Sequence, residues 1–115
     1  MLKNLWNITN FYCSHRHTPT KMEFLNGPLS LFYACPKYYE QNREPGELMC
    51  SMRLNLVDAE GILDKFSSIV LKDLEDDIIR DYTNMEFDYK AIHVKVLHYD
   101  EHHLDLDILN KKALR

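Results

Sequence analysis

Three cysteines and two histidines in the first half of the chain have the clearest capacity for chemistry. His15 and His17 follow Cys13 at alternate positions, and the other two cysteines are Cys35 and Cys50. Residues 13, 15 and 17 share one side of an extended strand, so either histidine could join Cys13 at one metal ion. Thiolate and imidazole ligands suit zinc, which four ligands enclose in a tetrahedron. We therefore predict a structural zinc site of Cys13, Cys35, Cys50 and one of His15 and His17.

Two segments of the first half are alike in sequence. Phe11-Tyr12-Cys13 and Phe32-Tyr33-Ala34-Cys35 each end an aromatic stretch with a cysteine. Cys35-Pro36 matches the first half of a Cys-Pro-x-Cys knuckle, with Tyr38 at the position of the second cysteine and Cys50 as its substitute across a loop. On these residues, positions 11–53 resemble zinc-ribbon-like modules in general. The resemblance implies strands that deliver metal ligands to turns, and it implies no activity.

The same residues allow two other interpretations. Free cysteines are among the most buried residue types, so all three could be reduced core residues beside surface histidines. Cys13 next to His15 and His17 could instead form a thiolate nucleophile. The sequence offers neither an orienting Asn or Asp nor an oxyanion element for such a site, so we expect a non-enzymatic protein.

Two further clusters are candidates for binding. His98 and His102, with His103 and the intervening acids, could form a weak second metal site or a polar loop tip. The acidic run that contains Asp73, Asp76 and Asp77 could be a solvated helix face or an interaction face for a basic partner.

Turn signals and periodicity predict the elements that position these residues. Lys21–Asn26 and Leu29–Cys35 form a predicted hairpin around Asn26-Gly27-Pro28, and Pro36 to Glu47 is a polar loop. Leu48 to Val57 alternates apolar and polar residues, as an extended segment does. Asp58 then caps a helix predicted over residues 58–81, whose apolar residues recur at three and four.

The end of the chain predicts a β-hairpin that covers this helix. Pairing residues whose numbers sum to 200 places Val94 opposite Leu106 and Lys95 opposite Asp105. The strands are then 91–98 and 102–109, with His98 facing His102 across the loop. Met85 to Tyr89 alternates as well and would add a third strand. A slip of one residue would place apolar side chains opposite acids.

Composition limits the class of protein. The chain has 115 residues, 45% of them hydrophobic, and a net charge of −4, which disfavours a general nucleic-acid coat. We predict an α+β fold in which a zinc-stapled β-rich part (1–57) packs as one unit with a long amphipathic helix and an antiparallel β-hairpin or three-stranded meander (58–115). The shift in composition near residues 50–58 carries no Gly/Ser linker.

The predicted function is a small zinc-binding interaction module whose partner is a protein. A nucleic-acid-binding accessory or regulatory protein is the first alternative, since residues 1–50 have a net charge of +1. A Cys/His thiol or metal enzyme is the second. We expect a cytoplasmic location, because the start of the chain lacks a signal peptide and no run of residues is apolar enough to span a membrane.

Overall fold

Two β-sheets and one long helix make up most of the regular structure in the computed structural model, which describes residues 5–15, 17–28 and 30–110. The strands are β1 (Thr9–Cys13), β2 (Thr20–Lys21), β3 (Glu23–Asn26), β4 (Leu31–Ala34), β5 (Arg53–Asn55), β6 (Glu86–Tyr89), β7 (Ile92–Tyr99) and β8 (Leu104–Asn110). The helices are α1 (Leu5–Ile8) and α2 (Leu56–Glu75), with short 3-10 turns at Pro36–Tyr38 and Glu40–Asn42. The predicted α+β fold is confirmed. No helix in the described ranges is long and apolar enough to cross a membrane.

The larger sheet has the strand order β2-β1-β8-β7-β6. Strands β6, β7 and β8 form the predicted antiparallel meander. Strand β1 lies parallel to β8 and antiparallel to β2, so the first half of the chain contributes two strands to this sheet. The subregions 1–57 and 58–115 therefore share a sheet.

The predicted register of the last hairpin is wrong by two residues. Val94 pairs with Ile108 and Lys95 with Asp107, and a bulge follows Val96, so that His98 lies opposite Asp105 and not opposite His102. Up to Val96, a shift of two leaves the side chains on their predicted faces, because side chains alternate with a period of two. The bulge then changes the alternation, so that Tyr99 packs against the core and His98 is exposed. The bulge and the four-residue loop 100–103 were not visible in the apolar pattern.

Helix α2 is shorter and begins earlier than predicted. Its cap is Asn55, whose side-chain oxygen accepts a hydrogen bond from the backbone N–H of Asp58 at 2.7 Å, so Asp58 lies inside the first turn. The helix ends at Glu75, and Asp77 has the left-handed backbone conformation, with φ at 55°. The acidic run at 76–77 therefore follows the helix, and the predicted helical residues 76–81 are not helical.

The smaller sheet has the order β3-β4-β5, and all its strands are antiparallel. The hairpin around Gly27 is confirmed, with shorter strands than predicted. The predicted strand Lys21–Asn26 is divided at Met22, a buried residue whose N–H donates to the carbonyl of Phe11, so its two parts belong to different sheets. Only Arg53–Asn55 of the predicted extended segment forms a strand.

The core lies between α2 and the larger sheet. Phe66 of α2 contacts the rings of Tyr82, Phe87 and Tyr99. Gly61 lets the Tyr89 ring approach the helix, since a Cβ at this position would collide with it. The fully buried side chains of the meander are Val94, Val96, Leu104, Leu106 and Ile108.

Candidate metal centre

Four side chains from separate segments meet between the two sheets. Cys13 is the last residue of β1, and His17 lies in the connection from β1 to β2. Cys35 follows the last residue of β4, and Cys50 lies in the segment that leads into β5. The aromatic-to-cysteine similarity noted in the sequence thus corresponds to two strands that end at the same place.

Three of the six distances among these ligand atoms are close to the edges of a zinc tetrahedron. Their ligand atoms all lie within 4.8 Å of one another. The Sγ atoms of Cys13 and Cys50 are 3.6 Å apart, and the His17 Nε2 is 3.7 Å from the Cys13 Sγ and 3.4 Å from the Cys35 Sγ. Zinc–sulfur bonds of about 2.3 Å and zinc–nitrogen bonds of about 2.1 Å give S–S edges of about 3.8 Å and S–N edges of about 3.6 Å. The cluster could therefore hold a metal ion without a large rearrangement.

His17 has the orientation of a metal ligand, and His15 does not belong to the cluster. The His17 Nδ1 lies 2.8 Å from the carbonyl oxygen of Thr18, to which it donates when protonated. That hydrogen bond leaves Nε2 with the lone pair, directed at the sulfurs, and such a carbonyl partner is typical of metal-bound histidine. His15 is half-buried outside the four-residue group, and its Nε2 has no hydrogen-bond partner in the described residues.

A backbone N–H two residues further along the chain favours the charged form of each thiol. The N–H of His15 acts to lower the pKa of Cys13, that of Lys37 the pKa of Cys35 and that of Met52 the pKa of Cys50. Such N–H groups stabilise the charged thiolates, which are the form that binds zinc. The same relation at all three cysteines supports a common role for them.

The three thiols have different pKa values. The pKa of Cys35 is lowered to about 5, first by a side-chain hydrogen bond with Cys13 and also by the Lys37 N–H, against the effect of burial. The pKa of Cys13 is raised by the same hydrogen bond, and burial raises that of Cys50. One proton is thus easily lost, whereas full deprotonation of the buried cluster requires a cation to balance the charge.

The loop between Cys35 and Cys50 has an ordered structure of its own. The Lys37 Nζ lies 2.8 Å from the Glu47 carboxylate and 2.8 Å from the carbonyl oxygen of Asn42. The Cys50 N–H donates to the Lys37 carbonyl at 3.3 Å. These contacts fold the loop so that Cys50 lies close to Cys35, as the predicted ligand set requires.

A side-chain hydrogen bond holds the end of β1 beside the candidate metal site. The Ser14 hydroxyl donates to the carboxylate of Asp107 on β8 at 2.6 Å. Burial raises the pKa of Asp107, and the Ser14 hydrogen bonds oppose this shift. Sequence reasoning did not identify Ser14, Thr18 or Asp107 as supports of the site, because their roles arise from the β1–β8 pairing and from a backbone carbonyl.

The other predicted site residues lie elsewhere. His98 bonds to Asp100 at 2.8 Å and His102 contacts Glu101 at 3.2 Å, all at the exposed tip of the β7–β8 hairpin. Among the described residues, the Cys13 cluster is the group of three or more potential ligands close enough to share an ion, and these histidines lie outside it.

The three acids proposed as one interaction face are in different environments. Asp73 is buried and accepts hydrogen bonds from Arg80 and Tyr82. Asp76 and Asp77 are exposed, and Asp76 pairs with Lys72 at 3.4 Å. Asp73 is therefore removed from the proposed face, since its carboxylate is engaged within the fold.

Comparisons with known proteins add no family. No family model matches the chain, no curated protein matches its sequence, and no solved structure matches its fold.

Proposed function

We propose that the chain is a non-enzymatic interaction module that contains one structural zinc ion, held by Cys13, His17, Cys35 and Cys50. The observation that carries the proposal is the cluster of three sulfurs and one imidazole nitrogen with ligand atoms within 4.8 Å of one another. Three thiolates and one neutral imidazole form a common closed zinc site. Carboxylate-preferring ions such as magnesium and calcium are disfavoured by the sulfur ligands.

The closed ligand set supports a structural role for the metal. A catalytic zinc site keeps one position for water or substrate, whereas here four protein side chains supply a full tetrahedron. The thiols are also poorly placed for nucleophilic attack, because Cys13, Cys35 and Cys50 are at most 3% exposed. These features favour a non-enzymatic module over a Cys/His thiol or metal enzyme.

A protein partner is favoured over nucleic acid. Of the cations near the site, Lys37 is paired with Glu47, and the Arg53 guanidinium lies over the rings of Phe32 and Tyr38. These cations are therefore already engaged with groups of the chain itself, which leaves less positive charge for a phosphate backbone. The net charge of −4 adds to this argument.

Metal analysis of the purified full chain tests the zinc proposal. We expect one zinc per chain by elemental analysis and native mass spectrometry, and its loss in His17→Ala and Cys35→Ser. His15→Ala is the matched control, because it removes the neighbouring histidine and should leave the zinc in place. Wild-type protein without metal, or equal zinc loss in both histidine variants, would contradict the proposed ligand set.

Binding to a single-stranded oligonucleotide at low salt tests the alternative partner. We expect no shift of the oligonucleotide on a gel at micromolar protein. A nucleic-acid-binding protein would give a shift that weakens steeply with salt and in Arg43→Ala. That result would replace the protein partner by nucleic acid and leave the zinc proposal unaffected.

A further inference from the structure

Four large aliphatic side chains are exposed together where α2 ends. Leu71, Leu74 and Ile78 are 43%, 62% and 42% exposed, and Ile79 is fully exposed. Leu71 and Leu74 are three residues apart and lie on neighbouring positions of one side of α2, and Ile78 and Ile79 lie in the segment that follows its last turn. We call these four residues the aliphatic patch. Leu74 lies one helical turn beyond Val70, which is a core residue.

The segment that carries Ile78 and Ile79 is held in place by Asp73. The N–H of Ile78 donates to the Asp73 carbonyl at 2.8 Å. The Asp73 carboxylate accepts two hydrogen bonds from Arg80 at 2.8 and 3.1 Å and one from the Tyr82 hydroxyl at 2.7 Å. Bonds on both sides of Ile79 thus fix a fully exposed isoleucine, which lowers the entropy cost of binding to it.

The surroundings of the aliphatic patch are acidic. Residues 71–81 contain five acidic and two basic side chains, for a net charge of −3. Both basic residues are already engaged, Arg80 with Asp73 and Lys72 with Asp76. Among the described residues, no ion pair includes Glu75 or Asp77, and both are exposed. An apolar centre with a negatively charged rim is complementary to an apolar segment that carries lysine or arginine.

We infer that the aliphatic patch and its rim, Glu75 and Asp77, form the docking surface for a basic amphipathic helix of a partner protein. The inference rests on the proposed function, since it assigns the protein-binding surface of that module. Apolar side chains of the partner cover Ile79 and Leu74, and its lysine or arginine side chains reach the rim carboxylates. A second copy of this chain is a poor occupant, because it would place the acidic rims against each other.

Two model peptides of opposite charge test this surface. The probes are fluorescent amphipathic helices of leucine and lysine and of leucine and glutamate, titrated with the full chain at about 0.1 M salt and followed by anisotropy. We expect the lysine peptide to bind and the glutamate peptide not to bind. Ile79→Ser should weaken binding about tenfold, since it removes a large apolar contact. The matched control Val57→Ser changes an exposed aliphatic at the other end of α2 and should have no effect.

Charge variants test whether the lysine peptide is attracted by the rim carboxylates or by the net negative charge of the whole chain. The double variant Glu75→Gln/Asp77→Asn should weaken binding of the lysine peptide about fivefold. Asparagine tolerates the left-handed backbone at position 77. The control Glu60→Gln/Asp64→Gln removes the same charge from the first half of the helix and should leave binding unchanged. Equal loss in both double variants, or equal binding of both peptides, would overturn the inference.

Two further readouts distinguish the possible failures. Self-association in analytical ultracentrifugation that Ile79→Ser abolishes would assign the patch to a second copy and overturn the basic partner. Zinc content measured on the same samples reports on the metal separately. If zinc-bound protein does not bind the lysine peptide, only this docking surface is refuted. If wild-type protein that contains no metal binds the peptide, only the structural zinc is refuted.

Discussion

The metal-centred region, residues 13–55, and the helix–meander region, residues 56–110, are stabilised by different kinds of interaction. Within the described residues, the helix–meander region contributes eleven of the buried apolar residues and the metal-centred region contributes five. Three of those five are the cysteines, and the other two are Met22 and Leu54. The first region thus depends on its sulfurs for most of its interior, whereas the second depends on apolar burial between a helix and a sheet. Short strands that bury little apolar area need another source of cohesion, which a metal ion at the cysteine cluster would supply.

The two regions are joined by β1. Phe11 is buried in the common core, and Cys13 at the end of the same strand reaches the candidate metal site. The hydrogen bond from Ser14 to Asp107 adds a contact between the regions. Because the regions are connected in this way, the stability of each has to be measured separately. Backbone amide hydrogen exchange reports local stability residue by residue.

Removal of the metal should have the largest effect. In Cys35→Ser, or in wild type with a chelator, we expect β3, β4 and β5 to lose hydrogen-exchange protection while β7 and β8 keep most of theirs. The expected loss of stability of the metal-centred region is about 5 kcal/mol or more, because ligand binding and folding are linked. Ser51→Ala is the control, since this exposed neighbour of Cys50 lies outside the ligand set. Uniform loss across both regions would show that they fold as one cooperative unit.

A cavity in the apolar core should have the next largest effect, in the other region. Phe66→Ala should lower the free energy of unfolding by about 3–5 kcal/mol, because it removes a fully buried ring that contacts three others. The zinc content of the folded protein should not change. Phe66→Leu, which retains more of the volume, should cost less in chemical denaturation. Loss of zinc in folded Phe66→Ala protein would contradict the separation of the regions.

Apolar periodicity explains why the helix–meander region was the more predictable one. The residues Ile62, Leu63 and Phe66 are buried as the pattern requires, and the faces of β7 and β8 are correct. The register and the helix end were not predictable from this pattern. A two-residue slip preserves both faces of the hairpin, so only the bulge after Val96 and the loop length decide between registers. The helix end is closed by the left-handed backbone of Asp77, with hydrogen bonds from the N–H groups of residues 77 and 78 to the carbonyls of Leu74 and Asp73. Glycine or asparagine usually marks this conformation, so an aspartate there gave no signal.

The candidate metal site was predictable by residue type and not by periodicity. Cysteine and histidine are rare enough that their positions alone identified Cys13, Cys35 and Cys50, although the chain between them contains little regular structure. The choice of His17 over His15 could not be made, because strand alternation places both on one side. The structure instead turns the chain after β1 and gives the His17 Nδ1 a carbonyl partner at Thr18. That interaction involves the backbone, which leaves no mark in the sequence.

Acidity should affect the two regions in opposite directions. His93 lies between Glu86, at 2.5 Å, and Asp88, at 2.7 Å, and these carboxylates raise its pKa above 6.5. A histidine whose pKa is raised on folding contributes its full stabilisation below pH 6.5. This contribution is lost as the pH rises through the pKa of the histidine in the folded state. Zinc binding has the reverse dependence, because protons compete for the thiolates and the imidazole.

A comparison of melting temperatures therefore tests the His93 contribution. Zinc-loaded wild type should lose stability as the pH rises above 6.5, relative to His93→Gln, which lacks the titrating group. His102→Gln is the control, since this side chain lies in the exposed loop. A pH dependence that is the same in wild type and His93→Gln would refute the assignment to this histidine.

The smallest expected effect concerns the end of α2, where the helix–meander region uses a buried polar group in place of apolar contacts. Tyr82→Phe removes the hydroxyl that donates to Asp73 and keeps the ring contacts with Phe66 and Tyr99, so it should cost about 1 kcal/mol. The Arg80 hydrogen bonds remain, so the carboxylate keeps two of its three hydrogen bonds. We expect faster hydrogen exchange at Ile78 and Ile79 with unchanged protection in β7. A loss of protection confined to the metal-centred region would contradict the separation of the two regions, because Asp73 would then stabilise the metal-centred region.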